Sequence, residues 1–135
     1  MSVGKIMTAG DIAITGLQAE SKRLNVIAAN LATAGTTRTE AGGPYRRKNV
    51  VLSTQGDGMQ GVSIGEVMAD MQTPFQTLYS PGNPDADAAG YVQMPNVELP
   101  MEMMQMVTAS RAYQANVAVL KRHTEMVDVT LELLR

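Results

Sequence analysis

The chain has 135 residues, a formal net charge of −2 and no cysteine. The length suits one domain, and mixed charges argue against a nucleic-acid surface, which needs clustered Lys and Arg. The lack of cysteine excludes disulfides and thiolate chemistry, and no apolar run is long enough to insert into a membrane.

The N-terminal residues 8–34 have the spacing of an amphipathic helix. Leu17, Leu24 and Leu31 recur every seven residues, and Ile27 falls between them on the same face. We therefore expect these four side chains to pack against another helix.

The ends of this helix carry recognisable signals. Thr8, three residues before Asp11, predicts a capping box. Gly35 follows the last periodic residues and predicts a stop in the left-handed conformation. Gly10 and Gly16 each cost a helix about 1 kcal/mol relative to Ala, so we expect weak first turns.

The middle of the chain, residues 36–96, holds most of the Gly and Pro and almost all of the strand-like segments. Gly56-Asp57-Gly58 predicts a hairpin loop. Asn83, Asp85 and Asp87 imitate the first ligands of a calcium loop, but the following Gly and Glu are missing, so we predict an Asx turn. The strand predictions cover residues 44–53, 61–69, 75–79 and 91–94.

The C-terminal residues 97–135 form the longest regular pattern, with Pro100 suited to the first turn of a helix. A series with alternating 3- and 4-residue spacing predicts a coiled-coil seam. We expect Leu17, Leu24, Ile27 and Leu31 to pair with Val117, Leu120, Val127 and Leu131. The series consists of Met103, Met106, Ser110, Tyr113, Val117, Leu120, Thr124, Val127, Leu131 and Leu134.

These patterns predict an α+β fold with two long terminal helices, paired as a coiled coil, around a small β-rich middle. The predicted segments are 1–35, 36–96 and 97–135. Further apolar residues of the C-terminal helix lie off the seam, among them Met101, Met104 and Val107. One partner helix cannot cover so wide an apolar surface, so we expect these helices to complete their cores against other chains.

Candidate catalytic residues are few. His123 is the only histidine, and Ser110 and Asp128 lie on the same predicted helix, where a triad is geometrically impossible. We predict that His123 is a solvated or boundary residue and that the chain has no catalytic, cofactor or metal site. The basic run Arg46-Arg47-Lys48 predicts either a contact with an acidic partner or a solvated strand edge.

Two terminal motifs carry a family resemblance. GLQAESKRLNVIAANLATAGT (16–36) and ASRAYQANVAVLKRHTEMVDVTLELL (109–134) resemble the paired end motifs of flagellar axial proteins, the rod, hook and hook-associated proteins. Within that family, PYRRKNVVL (44–52) and YSPGNPDADAAGYVQMPNVEL (79–99) resemble a proximal-rod member.

The resemblance implies a structural subunit of the flagellar proximal rod, a hollow shaft that transmits torque. It implies that the terminal helices form the inner tube and that the middle segment faces outward. It further implies flagellar type III export without a cleaved signal and assembly in the periplasmic basal body. The implied partners are FlgB, FlgF, FliE, FlgG and further copies of the chain, with no cofactor, nucleic acid, membrane insertion or small-molecule substrate.

An alternative interpretation is a cytosolic helical-hairpin binding module, such as a chaperone or regulator. Periodicity alone does not separate the two classes. The subunit or helix interface that we predict for the rod consists of Leu17, Leu24, Ile27, Leu31, Met103, Met106, Tyr113, Val117, Leu120, Val127, Leu131 and Leu134.

Overall fold

The computed structural model describes residues 7–54 and 60–134. Helix α1 covers Ala9–Ala32 and helix α2 covers Leu99–Leu133, which confirms the two predicted terminal helices. Between them, the described residues form four strands in two small sheets, which confirms the α+β class. The strands are β1 (Lys48–Thr54), β2 (Val62–Ala69), β3 (Gln76–Tyr79) and β4 (Tyr91–Met94).

The start of α1 follows the prediction. The hydroxyl of Thr8 accepts a hydrogen bond from the backbone N–H of Asp11 at 3.2 Å, and the Asp11 carboxylate accepts one from the backbone N–H of Thr8 at 2.9 Å. This reciprocal pair is a capping box. Pro100 is the second residue of α2, where its missing N–H costs no helical hydrogen bond.

The end of α1 differs from the prediction. Gly35 does not have a positive φ, which among the described residues occurs at Gly42, Gly43, Gly61 and Gly90. The helix closes instead with tight turns, in which Ala34 N–H donates to Leu31 O and Thr36 N–H donates to Thr33 O. These turns satisfy carbonyls at the helix end, so no left-handed glycine is required.

The two sheets each contain two strands. In the first, β1 pairs with β2. In the second, β3 and β4 are antiparallel, with Leu78 opposite Val92 and Tyr79 opposite Tyr91. The predicted hairpin loop at Gly56-Asp57-Gly58 lies outside the described residues.

The contacts divide the chain into two units, and α1, β1, β2 and α2 each contribute to both. Unit 1 contains Met1–Leu24, Val50–Glu66 and Val107–Arg135. Unit 2 contains Asn25–Asn49 and Val67–Met106. The division into 1–35, 36–96 and 97–135 stays a proposal about the assembled protein.

The cores of both units are small. Among the described residues, the fully buried apolar side chains of unit 1 are Ala13, Ala19 and Ala109. Unit 2 buries Ile27, Val92 and Val97, together with the polar Asn30, Asn96 and Glu102. Alanines bury little area each, so hydrophobic stabilisation within unit 1 is modest.

Candidate assembly interface

The helices run antiparallel in unit 1, and in unit 2 the end of α1 contacts the start of α2. In unit 1, a Cβ built on Gly10 would lie 2.6 Å from Cδ2 of His123, and one built on Gly16 would lie 2.8 Å from Nδ2 of Asn116. In unit 2, Asn30 is hydrogen-bonded to Glu102. Residue numbers thus rise along α1 as they fall along α2. The two glycines permit this close approach, which explains their presence in a helix that they would otherwise weaken.

The face of α2 that turns inward is offset by about one residue from the predicted series. Its residues are mainly polar or small, and the more apolar neighbouring face is left outside. A polar side chain can lie inward when it has a hydrogen-bonding partner. The prediction, by contrast, relied on the spacing of mostly apolar residues. The buried and half-buried positions of α2, of which Met106, Ser110 and Leu120 also belong to the predicted series, are Glu102, Gln105, Met106, Ala109, Ser110, Ala112, Asn116, Leu120 and His123.

The predicted interface residues therefore fall into two groups. Ile27 is buried, and Leu17, Leu24, Leu31, Met106 and Leu120 are half-buried. The other six residues are exposed, from 37% at Tyr113 to 80% at Leu134; they are Met103, Tyr113, Val117, Val127, Leu131 and Leu134. The exposed group forms an apolar surface that the chain itself does not cover.

The antiparallel arrangement limits which residues of α2 can pair with α1. His123 already lies beside Gly10, and α1 begins at Ala9. The last turns of α2, which carry Val127 and Leu131, therefore have no α1 residue at their level within the described range. Contacts of these two side chains with other chains stay a proposal.

A polar cluster in unit 2, formed by Asn30, Tyr45, Arg47, Asn96 and Glu102, connects the helices to the middle of the chain. Asn30 exposes 1% of its surface. Its Nδ2 donates to Lys48 O at 2.9 Å and to Glu102 Oε2 at 3.2 Å. Its Oδ1 accepts from Tyr45 Oη at 3.0 Å and from the Lys48 N–H at 2.9 Å. The buried amide thus uses both donors and two acceptor positions.

Glu102 is the charged centre of the polar cluster. It is completely buried, and its Oε1 accepts a hydrogen bond from Nε of Arg47 in an ion pair. Arg47 also donates from Nη2 to Oε1 of Gln105 at 3.2 Å. A buried carboxylate is tolerated when it is paired and hydrogen-bonded, and both oxygens of Glu102 have partners here.

This ion pair corrects the prediction for the basic run. Arg47 is mostly buried and forms an ion pair with Glu102 of its own chain. It is therefore not available to bind an acidic partner protein, and it does not lie on a solvated strand edge. The guanidinium of Arg46 lies 4.2 Å from the centroid of the Phe75 ring, a cation–π geometry. Of the three basic residues, Lys48 has the exposed side chain that was predicted.

Asn96 extends the polar cluster to the loop after β2. Its Oδ1 accepts from the Arg47 N–H at 2.8 Å. Its Nδ2 donates to the carbonyl oxygens of Asp70 at 3.2 Å and Thr73 at 3.1 Å. The segment before α2 therefore holds the loop through side-chain hydrogen bonds.

The carboxylate of Asp70 organises that same loop. It accepts from the backbone N–H groups of Thr73 and Gln72 at 3.0 Å and from the Thr73 hydroxyl at 2.7 Å. These bonds favour the charged form and lower the pKa of Asp70, with the backbone bond from Thr73 as the largest cause.

The lowered pKa predicts an acid-dependent contribution to stability. A depressed carboxyl pKa stabilises the fold fully above the ordinary value of 3.8, and this contribution is lost as the pH falls through the folded-state pKa. We expect Asp70→Asn to be less stable than the wild type at neutral pH, and the difference to shrink below about pH 4. Urea denaturation at several pH values measures this difference in stability. A difference that is independent of pH would contradict the lowered pKa of Asp70.

The glycines at the helix contact yield a second prediction. Gly16→Leu should lower the free energy of unfolding by about 1–3 kcal/mol through overpacking, although Leu is the better helix former. Gly35→Ala is the matched control, because a Cβ at Gly35 meets nothing within 4 Å. Thermal denaturation compares the two variants, and equal stability would argue against close helix contact at Gly16.

The remaining sequence candidates lie where a structural role explains them. His123 is half-buried beside Gly10, which confirms the boundary position. The Asx turn is also confirmed, because Asn83 Oδ1 accepts from the Asp85 N–H at 2.9 Å. Within residues 7–54 and 60–134, no three His, Asp or Glu side chains are placed to bind a metal ion. Neither helix is long and apolar enough, over its described residues, to cross a membrane.

Sequence reasoning missed the polar cluster, although a signal was present. Glu102 interrupts a run of methionines, and Asn30 comes three residues after Ile27 on the apolar face of α1. A polar residue on an apolar helical face is either exposed or satisfied by a distant partner. The sequence alone did not indicate which partner.

Comparisons with known proteins match both ends of the chain. A family model described as flagella basal body rod protein matches residues 11–38. A second, described as flagellar basal body rod FlgEFG protein C-terminal, matches residues 88–133.

Relatives that match over most of their length are named flagellar basal-body rod protein FlgC. The Salmonella typhimurium protein is 47% identical over 126 residues, covering 91% of this chain and 93% of the relative. The Borreliella burgdorferi protein is 36% identical, and the match covers 93% of this chain and 95% of the relative. The Bacillus subtilis protein is 33% identical, with coverages of 91% and 94%.

Proposed function

The chain belongs to the flagellar basal-body rod protein FlgC family, and from this premise we propose that it is a structural subunit of the proximal rod. In this role it assembles by helix packing into a hollow shaft that transmits torque for cell motility. It carries out no catalysis, in keeping with a histidine that packs against a helix glycine.

The observation that carries this proposal is the exposed apolar surface of α2. Met103 exposes 61% of its surface, and Val117 and Leu131 are also exposed. Exposed large apolar side chains in such number mark an interaction site. The inward face of α2 is occupied by the polar cluster and small residues, so exposed apolar residues such as Met103, Val117 and Leu131 can contact other subunits.

The proposal divides the chain by task. The predicted interface residues of α1 and α2 contact neighbouring subunits and form the inner tube, while residues 36–96 face outward. The polar cluster fixes how the middle segment is attached to both helices, since it joins α1, the start of β1 and α2 through hydrogen bonds.

Glu20 supports a contact from another chain. Its Oε2 is buried without a hydrogen-bond partner, although it forms a long ion pair with Nη1 of Arg23 at 3.9 Å. Buried polar atoms in native proteins are normally satisfied, and a donor from a neighbouring subunit would satisfy this one.

The partners in this proposal are further copies of the chain, the rod proteins FlgB and FlgF, the distal rod protein FlgG, and FliE. The subunit reaches the periplasmic basal body through the flagellar type III export apparatus without a cleaved signal. No nucleic acid, small-molecule substrate, cofactor or membrane insertion is part of this function.

Purification of hook–basal bodies tests the proposal. A strain that lacks the endogenous protein is complemented with a tagged copy of this chain, and hook–basal bodies are isolated and probed for the tag. We expect the chain to be present in stoichiometric amount and motility to be restored. A chain found only in the cytosol as a discrete complex would indicate the helical-hairpin binding module instead.

A further inference from the structure

Three methionines surround the buried Glu102 at the start of α2. Met101, Met103 and Met104 expose 43%, 61% and 58% of their surfaces. Glu102 is completely buried in the same turn, so the helix directs the carboxylate inward and the methionines outward. Met106, one turn further, is half-buried.

A thioether is the side-chain group of this surface that is most readily oxidised. The chain has no cysteine or tryptophan to react in its place, and it has 11 methionines. Oxidation converts a flexible apolar side chain into a polar sulfoxide. Such a change matters most where the side chain must later be covered by apolar neighbours.

We propose that Met101, Met103 and Met104 form an oxidation-sensitive modification site that controls whether the unassembled subunit can be incorporated. This inference rests on the proposed function, because it requires the start of α2 to be covered on assembly. Oxidation before assembly blocks incorporation, and after assembly the neighbouring subunits shield the sulfur atoms.

The reaction is a two-electron oxygen transfer from a peroxide. The sulfur attacks one peroxide oxygen, the O–O bond breaks and an S=O bond forms. The second oxygen leaves as water after taking up a proton, so one hydrogen peroxide yields one sulfoxide and one water. Methionine sulfoxide reductases reverse the change, which makes the site switchable.

The effect on assembly follows from desolvation. A sulfoxide oxygen is a strong acceptor that must give up bound water when an apolar neighbour covers it. Burial of a polar group without a partner weakens an interface by roughly tenfold or more per group. Oxidation of any one of the three methionines is therefore sufficient to weaken the interface.

Chemical reactivity is tested first on the purified full-length chain. Dilute hydrogen peroxide is added, and peptide mass spectrometry follows sulfoxide formation with time. We expect the three methionines to oxidise several-fold faster than Met106 and about as fast as Met71, which exposes 73% of its surface. Oxidation no faster than at Met106 would overturn the proposal.

The effect on incorporation is tested with substitutions in cells. The triple variant Met101→Gln, Met103→Gln, Met104→Gln mimics the polar sulfoxide, and the corresponding triple Leu variant is apolar and cannot be oxidised. We expect hook–basal bodies to contain roughly tenfold less of the Gln variant than of the Leu variant, because only the Leu variant keeps this surface apolar. Met71→Gln, at a more exposed methionine in the loop after β2, should be incorporated normally.

Further measurements distinguish a failure of this inference from unfolding of the variant and from a failure of the proposed function. Equal denaturation midpoints of the Gln and Leu variants show that the loss is not unfolding, and the single Met103→Gln variant replaces the triple variant if the midpoints differ. Normal incorporation of the Gln variant beside the wild type overturns this inference alone. Failure of the wild type itself to enter hook–basal bodies overturns the proposed function.

Discussion

Glu102→Ala should destabilise the protein by about 3–5 kcal/mol, because it leaves the guanidinium of Arg47 buried without its counter-ion. The side chain of Glu102 is fully buried, and that of Arg47 is 15% exposed, so water replaces the lost carboxylate only in part. Since domains are stable by only about 5–15 kcal/mol, the variant should lose a large part of its stability and unfold at a clearly lower urea concentration. Urea denaturation followed by circular dichroism measures the change.

The matched control for this variant is Glu98→Ala. Glu98 lies one turn before Glu102, and its side chain is exposed, so the free energy of unfolding should change by less than about 0.5 kcal/mol. Replacing Glu102 and Arg47 together by Leu and Met should cost much less than the sum of the single changes. Similar losses for Glu102→Ala and Glu98→Ala would contradict the central role of the ion pair.

Val117→Asp should abolish incorporation into the rod and leave the isolated chain as stable as the wild type. Val117 exposes 43% of its surface, so an aspartate there is hydrated in the monomer. In the proposed interface the charge would lose its water without gaining a partner, and incorporation should fall by roughly tenfold or more. The amount in purified hook–basal bodies and the motility of the cells measure the effect.

Comparison with Leu120→Asp separates the two faces of α2. Leu120 is half-buried on the inward face, so this variant should lose both stability and incorporation. Gln114→Asp, at an exposed polar position of the same helix, controls for added charge and should be incorporated normally. Wild-type motility with Val117→Asp would argue strongly against the outward apolar surface as the interface.

The sequence by itself determined the secondary structure and the family. Both helices and all four strands lie close to their predicted positions, because each is specified by local periodicity, turn residues and caps. The Thr8–Asp11 capping box involves residues three apart, and such contacts can be recognised in a single stretch of sequence. The terminal motifs then indicated the flagellar axial proteins.

Only the tertiary structure decided which face of α2 turns inward and which polar residues are buried. Hydropathy shows that Met103 and Val117 are apolar, but it does not show whether the same chain or another one covers them. Glu102 is 55 residues from Arg47 and 72 from Asn30 in sequence, and a buried charge is stable only when such distant partners meet. Spacing along one helix contains no information about those partners, so the polar cluster became apparent only when the chain was folded.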